Sequence, residues 1–259
     1  MPKFAANLSF MFQEIPFLDR FQAAERAGFK GVEYLFPYEV PPGEITTRLK
    51  TLGLAQVLFN LPPGDWSRGE RGLAALPGRE SEFEAGVDQA IKYALALECP
   101  QLHAMAGIPP SGTAHDACEG AYVRNLRFAA EQLKASGLRL LIEPINTRDI
   151  PGYFLSTVAR ARRVIETVGS DNLFLQMDLY HCQVTEGDLA EKIRANLGLI
   201  GHFQIAGNPG RHEPDVGEVH YPYLFDLIDE LGYKGWVGCE YRPRGETVAG
   251  LGWARRYGI

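Results

Sequence analysis

The chain has 259 residues, 46% of them hydrophobic, enough to bury a large core and a typical size for a barrel of eight strands and helices. Its 26 Lys and Arg against 32 Asp and Glu give a formal net charge of -6. The cations are scattered rather than clustered, which argues against a nucleic-acid footprint and for a small-molecule substrate.

No run of the sequence is long and apolar enough for a membrane span, and the opening MPKFAANLSFMF lacks the apolar stretch and cleavage site of a secretory leader. Neither a membrane nor secretion is expected. Cys99, Cys118, Cys182 and Cys239 show no CxxC spacing, and all but Cys118 lie in or beside apolar runs, as buried free thiols do. This usage points to a reducing, cytoplasmic compartment.

Taken in chain order, short apolar runs mark eight strands: KFAANL from Lys3, GVEYLF at 31–36, LAQVLFN at 54–60, PQLHAM at 100–105, LRLLIE ending at Glu143, LFLQMD at Asp178, IGHFQ at Gln204 and GWVGCE at Glu240. Between them lie stretches with apolar residues at helical spacing, including FLDRFQAAERAG, FEAGVDQAIKYALALE, YVRNLRFAAEQLKASG and YPYLFDLIDELG. Gly28, Gly137 and Gly232 close three of these as C-terminal caps. Eight strands alternating with helices predict a single α/β domain over 1–259, a (β/α)8 TIM barrel. An open doubly wound sheet is the alternative, but no GxGxxG follows the first strand.

Two connections are long. Leu61 to Arg79, with Pro62, Pro63 and Gly64 at its start and one Trp and several Arg within, reads either as a loop folded over the barrel mouth or as a surface excursion. Ala206 to His220 carries Arg211 and His212 on the face where barrel enzymes place their active-site loops.

The last four strand runs each stop on a metal-competent side chain, and in a barrel these ends share one mouth. Any one of Glu143, Asp178, Gln204 and Glu240 could be an ordinary polar residue at a strand end. Four in succession, three of them acids whose repulsion must be compensated, suggest one divalent cation held by oxygen ligands.

The motifs NLPPGDWSRGERG at 60–72, IEPINTRDIPGYF at 142–154, QMDLYHCQ at 176–183, GHFQIAGNPGRHEPDVGE at 201–218 and CEYRP at 239–243 resemble the hydroxypyruvate isomerase family of the xylose isomerase-like barrels. The resemblance spans essentially the whole chain. It implies an aldose-ketose isomerase interconverting hydroxypyruvate and tartronate semialdehyde, with 2-oxo-tetronate isomerases as close relatives. The family's two catalytic glutamates fall on Glu143 and Glu240. The metal ligands of the related sugar epimerases fall on Glu143, Asp178, Gln204 and Glu240, with Gln204 standing where those epimerases commonly carry His.

Such chemistry needs one group to take a proton beside a carbonyl and another to return one, with a cation steadying the enediolate between. An oxygen ligand set selects Mg²⁺ or Mn²⁺. In the related epimerases a His at this position contacts substrate oxygens, so the resemblance implies that role for His181, three residues after Asp178, against a plain loop histidine; His103 at the end of the fourth strand is a second candidate, balanced against a core histidine. The substrate is expected to be a small hydroxy-oxo acid whose carboxylate takes an Arg from Arg68, Arg71, Arg211 and Arg242, of which at most two are expected to serve. Epimerisation or dehydration of a sugar ketone, a metal-dependent nuclease and a barrel that binds sugar acids without turnover are the competing readings. A homo-oligomer is compatible with the sequence, which marks no interface.

Overall fold

The first strand, β1 (Lys3–Asn7), hydrogen-bonds along both of its edges, to β2 (Gly31–Glu33) on one side and to β8 (Trp236–Cys239) on the other. Between these run β3 (Ala55–Asn60), β4 (Gln101–His103), β5 (Arg139–Ile142), β6 (Leu173–Asp178) and β7 (Ile200–Ile205), every neighbour pair parallel and the order closed. The architecture is thus the expected eight-stranded TIM barrel; the computed structural model describes residues 1–259.

The helices return the chain from the top of one strand to the bottom of the next: α1 (Phe17–Arg26), α2 (Pro42–Leu52), α3 (Glu80–Leu97), α4 (His115–Ala135), α5 (Val158–Val168), α6 (Leu179–Thr185), α7 (Leu189–Asn196) and α8 (Tyr221–Glu230). Their inward stripes, such as Phe83, Val87, Ala90 and Ala94 of α3, form with the outward strand residues one core of 71 buried residues. Gly28, Gly137 and Gly232 follow their helices at φ of 103°, 74° and 82°, the left-handed geometry that ends a helix without a Cβ penalty. All four cysteines are free and buried. No helix is long and apolar enough to cross a membrane.

The sequence runs overstate several strands. β2 stops at Glu33 and β4 at His103, while Glu143 and Glu240 stand one residue beyond β5 and β8. The Leu61–Arg79 connection also divides in a way its composition hides. Trp66 and Arg68 form a short exposed 3-10 turn, but Leu73, Ala74, Ala75 and Leu76 are core, and the backbone N–H of Ala75 donates to the Ala106 carbonyl at 2.8 Å. Gly72, at φ 113°, lies against the Met105 carbonyl where any Cβ would overlap it. Only the tip of this loop is therefore free to cover the mouth.

Candidate active site

Side chains of a strand alternate between faces, so the residue two before each mouth residue also points into the barrel. On three strands that inner residue is polar, while Leu141 and Gly238 precede Glu143 and Glu240. Gln101 precedes His103, Gln176 precedes Asp178, His202 precedes Gln204, and all six are buried. Asn7, Glu33 and Asn60 complete a polar floor beneath the carboxylates.

Above it opens a cavity of about 530 Å³, within the usual range for ligand sites. Glu143, Glu240, His181, Arg71, Arg211 and Arg242 line it, as does Arg148, which sequence reading passed over. Gln204 and His103 are buried but do not line it, and Arg68 lies outside.

Two carboxylate oxygens are buried without a hydrogen-bond partner, Oε1 of Glu143, which lines the cavity, and Oδ2 of Asp178, which does not. The second follows from local structure. Asp178 caps α6, so its Oδ1 accepts from the Tyr180 backbone N–H at 2.8 Å and Oδ2 is left facing inward. Burial foremost, then the charges of Glu240 and Asp178, push the Glu143 carboxyl well above its usual range. Burial also raises Asp178 and Glu240, partly offset by the Arg211 guanidinium. Orphaned, acceptor-only oxygens held this close are what a divalent cation would satisfy, and the Glu143, Asp178 and His181 ligand atoms all lie within 4.8 Å of one another.

His181 plays a different part from the acids. Its Nδ1 faces the Asn146 amide nitrogen at 2.6 Å, and Asn146 is oriented because its oxygen accepts from the Asp149 backbone N–H at 2.8 Å. Nδ1 is then an acceptor and the ring proton sits on Nε2, 3.6 Å from Asp178 Oδ2 and 3.9 Å from Glu143 Oε1. Burial, with Arg211 nearby, keeps this imidazole neutral by holding its pKa well below the ordinary value. A neutral ring with Nε2–H is a hydrogen-bond donor to an oxygen in the cavity.

Two of the expected metal ligands, Gln204 and Glu240, take part in hydrogen bonds with their neighbours. Gln204 turns its amide nitrogen to Glu33 at 2.8 Å and Glu240 at 2.6 Å, and its oxygen accepts from Gln176 at 2.7 Å, so that oxygen faces another amide rather than Glu143 and Asp178. Glu240 is also engaged. Its Oε2 accepts from Asn7 at 3.0 Å as well as Gln204, and its Oε1 pairs with Arg211. Arg211, at φ 58°, reaches Asp178 at 3.6 Å and Asp149 at 3.5 Å too, which commits it to the acids rather than leaving it free for a substrate carboxylate. His103 donates from Nδ1 to Asn60 at 3.1 Å, and burial pushes its pKa down to about 3.

At the mouth, the Arg71 guanidinium lies 3.8 Å from the centre of the Trp66 ring, and Trp66 meets Phe36 edge-on at 5.0 Å. Arg242 also lines the mouth, 5.8 Å from the centre of the Phe10 ring.

A closed parallel barrel with acids converging at the C-terminal ends of its strands defines an enzyme of the TIM-barrel class. The sequence pattern of the xylose isomerase-like TIM barrel matches residues 21–257, and the chain belongs to that family, among its hydroxypyruvate and 2-oxo-tetronate isomerases. It is 54% identical to a 2-oxo-tetronate isomerase of Cupriavidus necator and 46% identical to the hydroxypyruvate isomerase of Escherichia coli, covering 99% of itself in both and 99% and 100% of those proteins. A crystal structure of a Brucella melitensis protein described as an AP endonuclease, family 2, superposes with a TM-score of 0.98 at 52% identity over the full length of both chains. These relatives make the protein an isomerase.

Proposed function

We propose that the protein interconverts a small 2-oxo acid and its neighbouring-carbonyl isomer by proton transfer, with the four-carbon 2-oxo-tetronate first and hydroxypyruvate second. The observation that carries this reading is the pair of buried carboxylates, Glu143 and Glu240, in one cavity and in each other's field. The name of the 54% identical relative and the ample cavity favour the four-carbon acid over the three-carbon one.

In this reading one glutamate removes the proton from the hydroxyl-bearing carbon beside the carbonyl, and the other delivers a proton to the former carbonyl carbon. Glu240, gripped by Arg211, Asn7 and Gln204, is held in place as the base. His181 donates Nε2–H to the substrate oxygen that gains negative charge. Glu143 and Asp178 are the residues that would hold a divalent cation, Mg²⁺ or Mn²⁺ by ligand chemistry; when bound it would supply positive charge beside the reacting oxygens. Arg71 and Arg242 face the cavity with guanidinium N–H groups to spare for the substrate carboxylate.

The test is proton exchange and isomer formation in heavy water, with 2-oxo-tetronate and hydroxypyruvate supplied separately, with and without Mn²⁺. Deuterium entering either acid supports the reading, and the faster substrate assigns the chain length. Absence of exchange into both sinks it. The name of the Brucella protein suggests backbone hydrolysis of nucleic acid instead; the net charge of -6 weighs against it, and an abasic-site duplex in the same assay decides it.

A further inference from the structure

Glu33 is a carboxylate at the centre of the barrel that the proposed reaction leaves without a task. It is 1% exposed, lies outside the cavity lining and accepts three hydrogen bonds: from Asn7 Nδ2 at 3.0 Å, Gln204 Nε2 at 2.8 Å and His202 Nε2 at 2.7 Å. Asn7 and Gln204 donate through the same nitrogens to Glu240 Oε2. The two glutamates thus share two amide donors, bridged oxygen to oxygen.

An amide can turn either end toward a neighbour, and only its partners decide which. Glu33 Oε1 accepts from both amides, so each presents its nitrogen there. Gln204 then shows oxygen to Gln176, which donates to it at 2.7 Å. Without Glu33, Gln204 could turn its oxygen on Glu240 and lose the hydrogen bond by which it now holds Oε2. The room for this arrangement comes from β8: a Cβ on Gly238 would overlap Glu33 Oε1. The inward position two residues before Glu240 is left bare so that a carboxylate from β2, the second strand over, can occupy it.

We propose that Glu33 is a positioning residue, which acts through the amides of Asn7 and Gln204 to fix the Oε2 oxygen of Glu240 and thereby aim its Oε1 at the cavity. His202, donating to the other Glu33 oxygen, holds Glu33 in turn. This rests on Glu240 being a proton-transfer group, so the test has one arm that depends on activity and one that does not.

Crystal structures of the wild type, Glu33→Gln and Gly238→Ala form the first arm. The Glu240 carboxylate should move by about 1 Å in both variants, a displacement large enough to cost catalysis heavily. An unmoved Glu240 in the two variants overturns the proposal whatever the enzyme's substrate is. The second arm uses whichever acid exchanges deuterium. Glu33→Gln should lower kcat about tenfold or more with KM within about twofold. The same substitution made in Glu240→Gln should cost nothing further, because its route of action is gone. A loss confined to KM, or an equal loss in both backgrounds, overturns it and leaves Glu33 as a structural acid. If no acid is turned over, the function reading fails and the crystallographic arm still decides this one.

Discussion

The side-chain N–H of Asn146 donates to Nδ1 of His181 at 2.6 Å, and this one bond decides which ring nitrogen of His181 carries the proton. Replacing Asn146 by Asp would present an acceptor instead and draw the proton to Nδ1, stripping Nε2 of its hydrogen. Turnover should fall by about tenfold to a hundredfold with folding intact, and ¹⁵N spectra of the imidazole should show the tautomer exchange. A changed tautomer with an unchanged rate would remove His181 from the reaction.

Glu143→Gln and Glu240→Gln keep the size of each side chain and remove its basicity. Each should lose about a hundredfold to ten-thousandfold in kcat, the usual worth of general acid-base catalysis. The double variant should be little worse than either, since groups that act in one relay are not additive. Near wild-type turnover by either single variant would end the two-carboxylate mechanism.

Glu143, Asp178 and Glu240 are all raised by burial, so in metal-free protein the folded state keeps protons that the unfolded chain releases above the ordinary carboxylate range. Their contribution to stability is complete below that range and is lost as pH rises through the raised folded values. Melting temperature of the metal-free protein should therefore decline toward the alkaline side. Added Mn²⁺ should raise it, and by more as the pH increases, because the ion competes with those protons. A Mn²⁺ effect independent of pH would place the ion away from these acids.

Arg211 is the cation shared by Glu240, Asp178 and Asp149, and its removal leaves buried negative charge uncompensated. Arg211→Met should destabilise the metal-free protein by about 3 kcal/mol on the alkaline side, where these raised carboxyls have lost their protons, the scale seen when one partner of a buried ion pair is deleted. The penalty should shrink in acid, where the carboxylates hold protons. Urea unfolding at two pH values measures both; a small, pH-independent loss would mean that solvent already screens the cluster.

Deleting residues 68–72 would be a poor probe of the mouth loop, because Gly72 anchors the buried Leu73–Leu76 turn to the strand ends. Trp66→Ala leaves that anchor alone and removes the ring against which Arg71 stacks. The Michaelis constant should rise about tenfold, some 1.4 kcal/mol, with kcat less affected. A constant Michaelis value would make the Trp66 tip surface decoration.

The order of eight strands and their helices was written in the sequence, because short apolar runs and 3.6-residue periodicity are local signals that each segment carries by itself. So was the convergence of Glu143, Asp178 and Glu240, since closure of a parallel barrel brings strand ends to one mouth. The polar floor is present too, as Gln101 with His103, Gln176 with Asp178 and His202 with Gln204 at spacing two, but the apolar residues between them make each run read as an ordinary buried strand. What only the tertiary structure decided is the division of labour. Gln204 turns its oxygen to Gln176, Arg211 pairs with the acids, His181 carries its proton on Nε2, and Glu33 reaches Glu240 through amides from two other strands. Each of these outcomes depends on which donor meets which acceptor across the barrel, at separations of up to 233 residues, and amides, imidazoles and guanidinium groups take their roles from such partners rather than from their own positions in the chain.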